Sequence, residues 1–170
     1  PLGNFLARVV FPEKVTSFTF AVALRAELTA VNPFDFFLDA AATDYPFVYA
    51  PEFRRSHAAY FRRFTTAKRV RALAAQLRAD AAGRTIDFLV HVNQVVHRLV
   101  SYVIRLEPGV QTPKETLESG RGSCRDSAWL LVALLRELGL AARFVSGYLI
   151  QLAPDQKPLD IARAAIDYAR

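Results

Sequence analysis

The stretch Gly120-Arg121-Gly122-Ser123-Cys124-Arg125-Asp126-Ser127-Ala128-Trp129, continuing through Leu130-Leu131-Val132-Ala133-Leu134-Leu135-Arg136 to Gly139, constrains the fold more than any other part of the chain. Two glycines permit a tight approach. Ser123 then supplies an N-cap, and Asp126 three residues on completes a capping box ahead of an apolar run. The helix is predicted to begin at Cys124, the chain's single cysteine. The first N–H groups of a helix lack intrahelical acceptors and carry partial positive charge, so a thiolate there is stabilised. Cys124 is therefore a candidate nucleophile, and the neighbouring Asp126 opposes part of that stabilisation. On a helical wheel Cys124 aligns with Leu131, Leu135 and Leu138, which directs its side chain along the buried stripe. A cysteine on such a stripe, without the glycine approach, reads as an inert core residue.

Ahead of this stretch the pattern changes twice. Residues 5–11 and 15–28 read as strands. The second alternates Phe18, Phe20, Val22 and Leu24 with Thr19, Ala21, Ala23 and Arg25, the pattern of a half-buried antiparallel sheet. The aromatics of 32–38 read as a plug for one end of that sheet. Tyr45-Pro46 to Pro51 is an extended connection, and Pro51 suits the first position of a helix. Phe53, Tyr60, Phe61 and Phe64 recur at helical spacing beside Arg54, Arg55, Arg62, Arg63, Lys68, Arg69 and Arg71. That run of cations reads first as a solvated face and second as a surface for an acidic partner. No nucleic-acid module surrounds it, which disfavours nucleic acid.

A helix is predicted over 68–82, stopped by Gly83, and another over 86–105 with Thr85 as its cap and Ile86, Leu89, Val96, Val100 and Val103 on the apolar face. Thr112-Pro113-Lys114-Glu115 marks the start of a short helix. A strand is expected over 142–151, in which Arg143 and Tyr148 pack. Of the three histidines, His57 lies in the basic stretch and His91 is on a polar face four residues after Asp87. His97 flanks the apolar face and is the one upstream candidate for a base, though each reads more simply as structural. Nothing in their spacing indicates a metal site, and no cofactor is expected. Arg125 and Trp129 read as local structure, and Asp126 as a cap.

The residues Gly122-Ser123-Cys124-Arg125-Asp126, the Leu-rich helix, the segment Gly139-Leu140-Ala141-Ala142-Arg143-Phe144-Val145-Ser146-Gly147-Tyr148-Leu149 and the upstream Glu107-Pro108-Gly109-Val110-Gln111-Thr112-Pro113-Lys114-Glu115-Thr116-Leu117 resemble the core of bacterial transglutaminase-like cysteine enzymes. The resemblance covers roughly residues 85–152. Residues 1–50 are similar, less specifically, to the β-rich region preceding that core. The resemblance implies a papain-like α+β fold, with helices packed on antiparallel strands behind a partial β-sandwich segment. It also implies a Cys-His-Asp triad acting on the amide bonds of a peptide or protein. Cys124 takes the nucleophile position, and its own N–H would help hold the oxyanion.

In the family the triad histidine and aspartate follow on later strands. After Cys124 this chain has no histidine, and Pro154-Asp155-Gln156-Lys157-Pro158 leads into an amphipathic tail unlike the family. Asp155, Asp160 and Asp167 do not substitute, because a carboxylate serves to orient an imidazole. The expected organisation is a partial β-rich region at 1–50, a basic helical connector at 51–84, a transglutaminase-like core at 85–158 and a divergent tail at 159–170. The expectation is a core truncated before its histidine and inactive alone, against the alternative of a binding module that uses the basic helices.

Composition narrows the class without choosing the function. The chain has 170 residues, of which 52% are hydrophobic and 22% charged, so it can build a core and is not globally disordered. The apolar run at 128–135 is far shorter than the roughly 20 residues that cross a bilayer. Pro1-Leu2-Gly3-Asn4 forms no secretory signal, so the start reads as internal. One cysteine excludes an internal disulfide and, with no signal or span, favours the cytoplasm.

Overall fold

The computed structural model describes residues 8–21, 23, 25, 32, 35–65, 67–81, 83–105 and 107–146. The chain divides into two units, Pro1–Phe37 and Leu38–Arg170. In the first, the described residues are exposed and form no strand; Phe11 and Phe18 meet edge to face at 5.2 Å. The alternation predicted over 15–28 thus finds no ladder in its described part. Period-two patterning marks a face, but a strand also needs a hydrogen-bonding neighbour.

The second unit is mainly helical. A 3-10 turn at Ala40–Ala42 precedes α1 (Pro51–Ser56), α2 (Ala58–Phe61), α3 (Lys68–Ala79), α4 (Thr85–Leu99), β1 (Ser101–Tyr102), α5 (Pro113–Ser119), β2 (Arg121–Gly122) and α6 (Cys124–Glu137). The core forms where α3, α4 and α5 pack around α6. From α6, Leu130 and Leu134 are completely buried. Val70, Ala74 and Leu77 of α3 and Phe88, Val92 and Val96 of α4 meet them at helical spacing, with Leu117 of α5. Among the described residues no helix is long and apolar enough to cross a membrane.

Residues 42–45 are sewn to the start of α4. The Thr85 N–H donates to the Thr43 carbonyl at 2.9 Å and the Tyr45 N–H to the Gly83 carbonyl at 3.0 Å. The Tyr45 ring stacks on Phe88 at 3.9 Å, and its hydroxyl donates to the Leu138 carbonyl at 2.8 Å. Thr85, expected to cap α4, is instead its first residue, and its hydroxyl donates to the Ala42 carbonyl. The cap position belongs to Arg84, which makes no side-chain cap bond.

Pro51 opens α1 as expected. Helix α3 stops at Ala79, with Asp80 as its C-cap, ahead of the predicted end. Helix α4 is shorter than the predicted 86–105, because Val100 turns extended and 101–103 leave to pair with 120–122. Its buried face runs through Phe88, Val92 and Val96 rather than Ile86 and Leu89.

In place of the expected antiparallel strands, the one ladder among the described residues is parallel and two residues long, with Ser101 opposite Arg121 and Tyr102 opposite Gly122. Residues 142–146 are not in a strand. They are held otherwise, by the Arg136 guanidinium donating to the Ala142 carbonyl at 2.7 and 2.9 Å and by the Ala142 N–H donating to the Tyr60 carbonyl at 3.1 Å. The remainder of that predicted strand, Tyr148 included, and the tail from 151 lie outside the described residues.

Candidate active site

The site is assembled from two capped helices and the two-residue strand between them. Thr112 caps α5 through a complete capping box with Glu115, and Pro113 occupies the first turn. Gly120 ends α5 in the left-handed conformation, φ 62°, which favours glycine. The chain can then run straight into β2, where the Ser101 N–H donates to the Gly120 carbonyl at 2.8 Å and the Val103 N–H to the Gly122 carbonyl at 3.0 Å.

Gly122 is required for a different reason. A Cβ there would stand 2.9 Å from the Asp126 Cβ and 3.3 Å from the Thr116 Cγ2, both rigidly held. Gly122→Ala is therefore expected to destabilise the protein by about 1–3 kcal/mol through overpacking, read as a lowered midpoint in urea unfolding.

Ser123 is the N-cap of α6 and Asp126 its capping-box partner, as the sequence predicts. The Ser123 N–H and hydroxyl each donate to Asp126 Oδ2 at 2.8 Å. Asp126 does more than cap. It is fully buried, the Arg105 Nη1 donates to both of its oxygens at 2.8 Å, and the Gln111 N–H donates to Oδ1 at 2.8 Å. Burial alone would raise its pKa, but the Arg105 guanidinium and the donors from Gln111 and Ser123 outweigh it and hold the group at about 2. The same bond raises the pKa of Arg105.

Sequence reasoning missed Arg105, the last residue of the helix predicted over 86–105. A signal was present. Asp126 aligns with Leu130, Ala133 and Glu137 on the buried stripe of α6, and a buried carboxylate requires a cation.

Cys124 is the first residue of α6, as expected, but its side chain is exposed rather than directed along the buried stripe. Leu131 and Leu135 on that wheel position are themselves only half-buried. The buried stripe of α6 runs instead through Asp126, Leu130, Ala133 and Glu137, on the far side of the helix from Cys124. Asp126, expected to oppose a thiolate, has its charge compensated by Arg105. Among the described residues the Cys124 N–H has no hydrogen-bond acceptor, as the first turn of a helix dictates.

The histidines are not brought to the sulfur. His57 stacks on Phe53 at 4.1 Å and its Nδ1 lies 2.9 Å from the Ser56 hydroxyl. His91 and His97 are exposed on α4, and none of the three shares a hydrogen bond with Cys124. Trp129 is structural, stacked on Phe64 at 4.1 Å with Phe144 at its edge. Arg125 donates to the carbonyls of Arg105 and Glu107, and Arg143 lies over Tyr60. Asp155, Asp160 and Asp167 fall outside the described residues, among which no cluster of His, Cys, Asp and Glu could hold a metal ion.

The basic stretch divides. Arg54 lies over Phe61, Arg55 pairs with Glu52 at 3.2 Å, and Arg63 with Glu137 at 3.5 Å. Lys68 and Arg69 line a groove with Lys114.

No curated protein and no solved structure matches the chain. The family model of the transglutaminase-like superfamily matches residues 71–168, reaching past both ends of the resemblance seen at 85–152. With more than half its length matched, and with the capped helix, the Gly-Ser approach and the exposed cysteine inside that span, the chain belongs to the transglutaminase-like superfamily.

Proposed function

We propose that Cys124 is the nucleophile position of a site for thiol-dependent acyl transfer or hydrolysis at amide and peptide bonds, on a core of papain-like ancestry. The observation that carries this reading is an exposed sulfur on the first residue of a 14-residue helix whose cap is locked from below. In the reaction the thiolate adds to the amide carbonyl carbon, and the oxyanion takes the Cys124 N–H. Collapse breaks the C–N bond, the amine leaves with a proton, and water or a second amine releases the acyl group from sulfur.

Two groups are needed for turnover, and only one is supplied here. The free amides of the first helical turn can hold the oxyanion. The leaving amine needs a proton donor, a role worth about 10²–10⁴ in rate, and among the described residues no histidine hydrogen-bonds to Cys124. Asp126 does not stand in, since Arg105, Gln111 and Ser123 take both its oxygens. The described residues therefore present an exposed thiol with little amide turnover of its own.

Iodoacetamide labelling at pH 7 tests this. Cys124 is expected to alkylate in the folded protein about as fast as in urea, because its side chain is exposed. Cys124→Ser should give no adduct. Labelling that occurs only after unfolding would overturn the nucleophile reading, and brisk amide hydrolysis by the chain would overturn the requirement for an added imidazole.

A further inference from the structure

We propose that the groove between the start of α3, the start of α5 and Trp129 of α6 binds an acidic peptide segment. The groove encloses about 810 Å³, within the roughly 300–1,000 Å³ of ligand pockets. Its floor is apolar, made by the Trp129–Phe64 stack and the buried Pro113. Lys68, Arg69 and Lys114 stand exposed around it, against one carboxylate, Glu118.

Some of the neighbouring basic residues are already paired. Arg55 and Arg63 have carboxylate partners, whereas Lys68, Arg69 and Lys114 have none within ion-pair distance among the described residues. Three cations around one concave surface, against one lining carboxylate, attract an anion more than scattered ones do, because their fields add.

The floor decides which anion. A single-stranded nucleic acid would need open ring faces on which to stack its bases. Phe64 has Trp129 stacked on it and the Arg136 guanidinium over it at 5.2 Å, and Trp129 has Phe144 at 6.0 Å. At most one ring face, on Trp129, is left, too little for a run of stacked bases. An extended peptide with carboxylates flanking an aliphatic residue fits instead, its acids at the ammonium and guanidinium heads and its apolar side chain on the floor. Trp129 lies five residues beyond Cys124, about 140° around the helix, and Cys124 does not line the groove.

Trp129 is the only tryptophan in the chain, so its emission reports on the groove directly. The probe is a short peptide alternating glutamate with leucine, titrated into the full chain. A saturable change in emission is expected, with none from the lysine–leucine analogue. Combining Lys68→Glu, Arg69→Glu and Lys114→Glu should weaken binding at least about tenfold, whereas Arg54→Glu, outside the groove, should leave it unchanged. Glu118→Lys should tighten it about two- to fivefold, a gain that no loss of folding can mimic. The proposal is overturned if the acidic peptide gives no saturable response, if the triple reversal or Glu118→Lys leaves its affinity unchanged, or if single-stranded oligothymidylate binds as tightly as the peptide.

Discussion

Asp126→Ala is expected to destabilise the protein by about 3–5 kcal/mol, the loss that follows removal of one partner from a buried ion pair. The fully buried carboxylate accepts from the Arg105 guanidinium, from two backbone N–H groups and from the Ser123 hydroxyl. Alanine would strand all of these donors at once, and urea unfolding would read the change as a shifted midpoint at constant slope. The same group sets an acid limit. Its folded-state pKa lies near 2, below the 3.8 of a free aspartate, so the unfolded chain takes up the proton first as pH falls. The stability it provides, about 2 kcal/mol, is complete above pH ~4 and is lost progressively towards pH ~2. Asp126→Asn should flatten stability over that window. An unchanged acid profile in that variant would remove Asp126 from its central place.

Leu134→Ala should cost a similar amount, about 3–5 kcal/mol. Leu134 is completely buried at the centre of α6, where α3 and α4 converge, and the packed neighbours cannot collapse fully into the space. Val90→Ala on the exposed side of α4 serves as the control and should shift stability by less than about 0.5 kcal/mol. Equal effects from the two would mean that this core is not the one that holds the fold.

The parts legible in the sequence are those written locally. Thr112 with Glu115, and Ser123 with Asp126, announce helix starts within four residues, and both boxes close in the structure. What was not legible depends on partners far along the chain. Val100, Val103 and Ile104 fit either a helix or an extended segment. Hydrogen bonds to Gly120 and Gly122 decide for the latter and so end α4 at Leu99. Arg105 finds its carboxylate 21 positions away, beyond the reach of any periodicity. For Cys124 the leucines at 131 and 135 marked the wrong stripe, since a leucine-rich helix offers more than one apolar face and only its neighbours decide which is buried. The alternating N-terminal segment shows the same limit, because a face was readable there and a pairing partner was not.

The knot beneath the thiol also sets which insertions the chain can absorb. Arg105 and Gln111 are pinned to one carboxylate, but Glu107, Pro108, Gly109 and Val110 between them are exposed. Lengthening that bridge would change loop-closure entropy only slightly. Gly120, Arg121, Gly122, Ser123 and Asp126 are each committed to a ladder, a close approach or a cap, so a single residue added among them would undo all three. Variation in what surrounds the sulfur is therefore free to arise from the bridge, while the frame presenting it stays fixed.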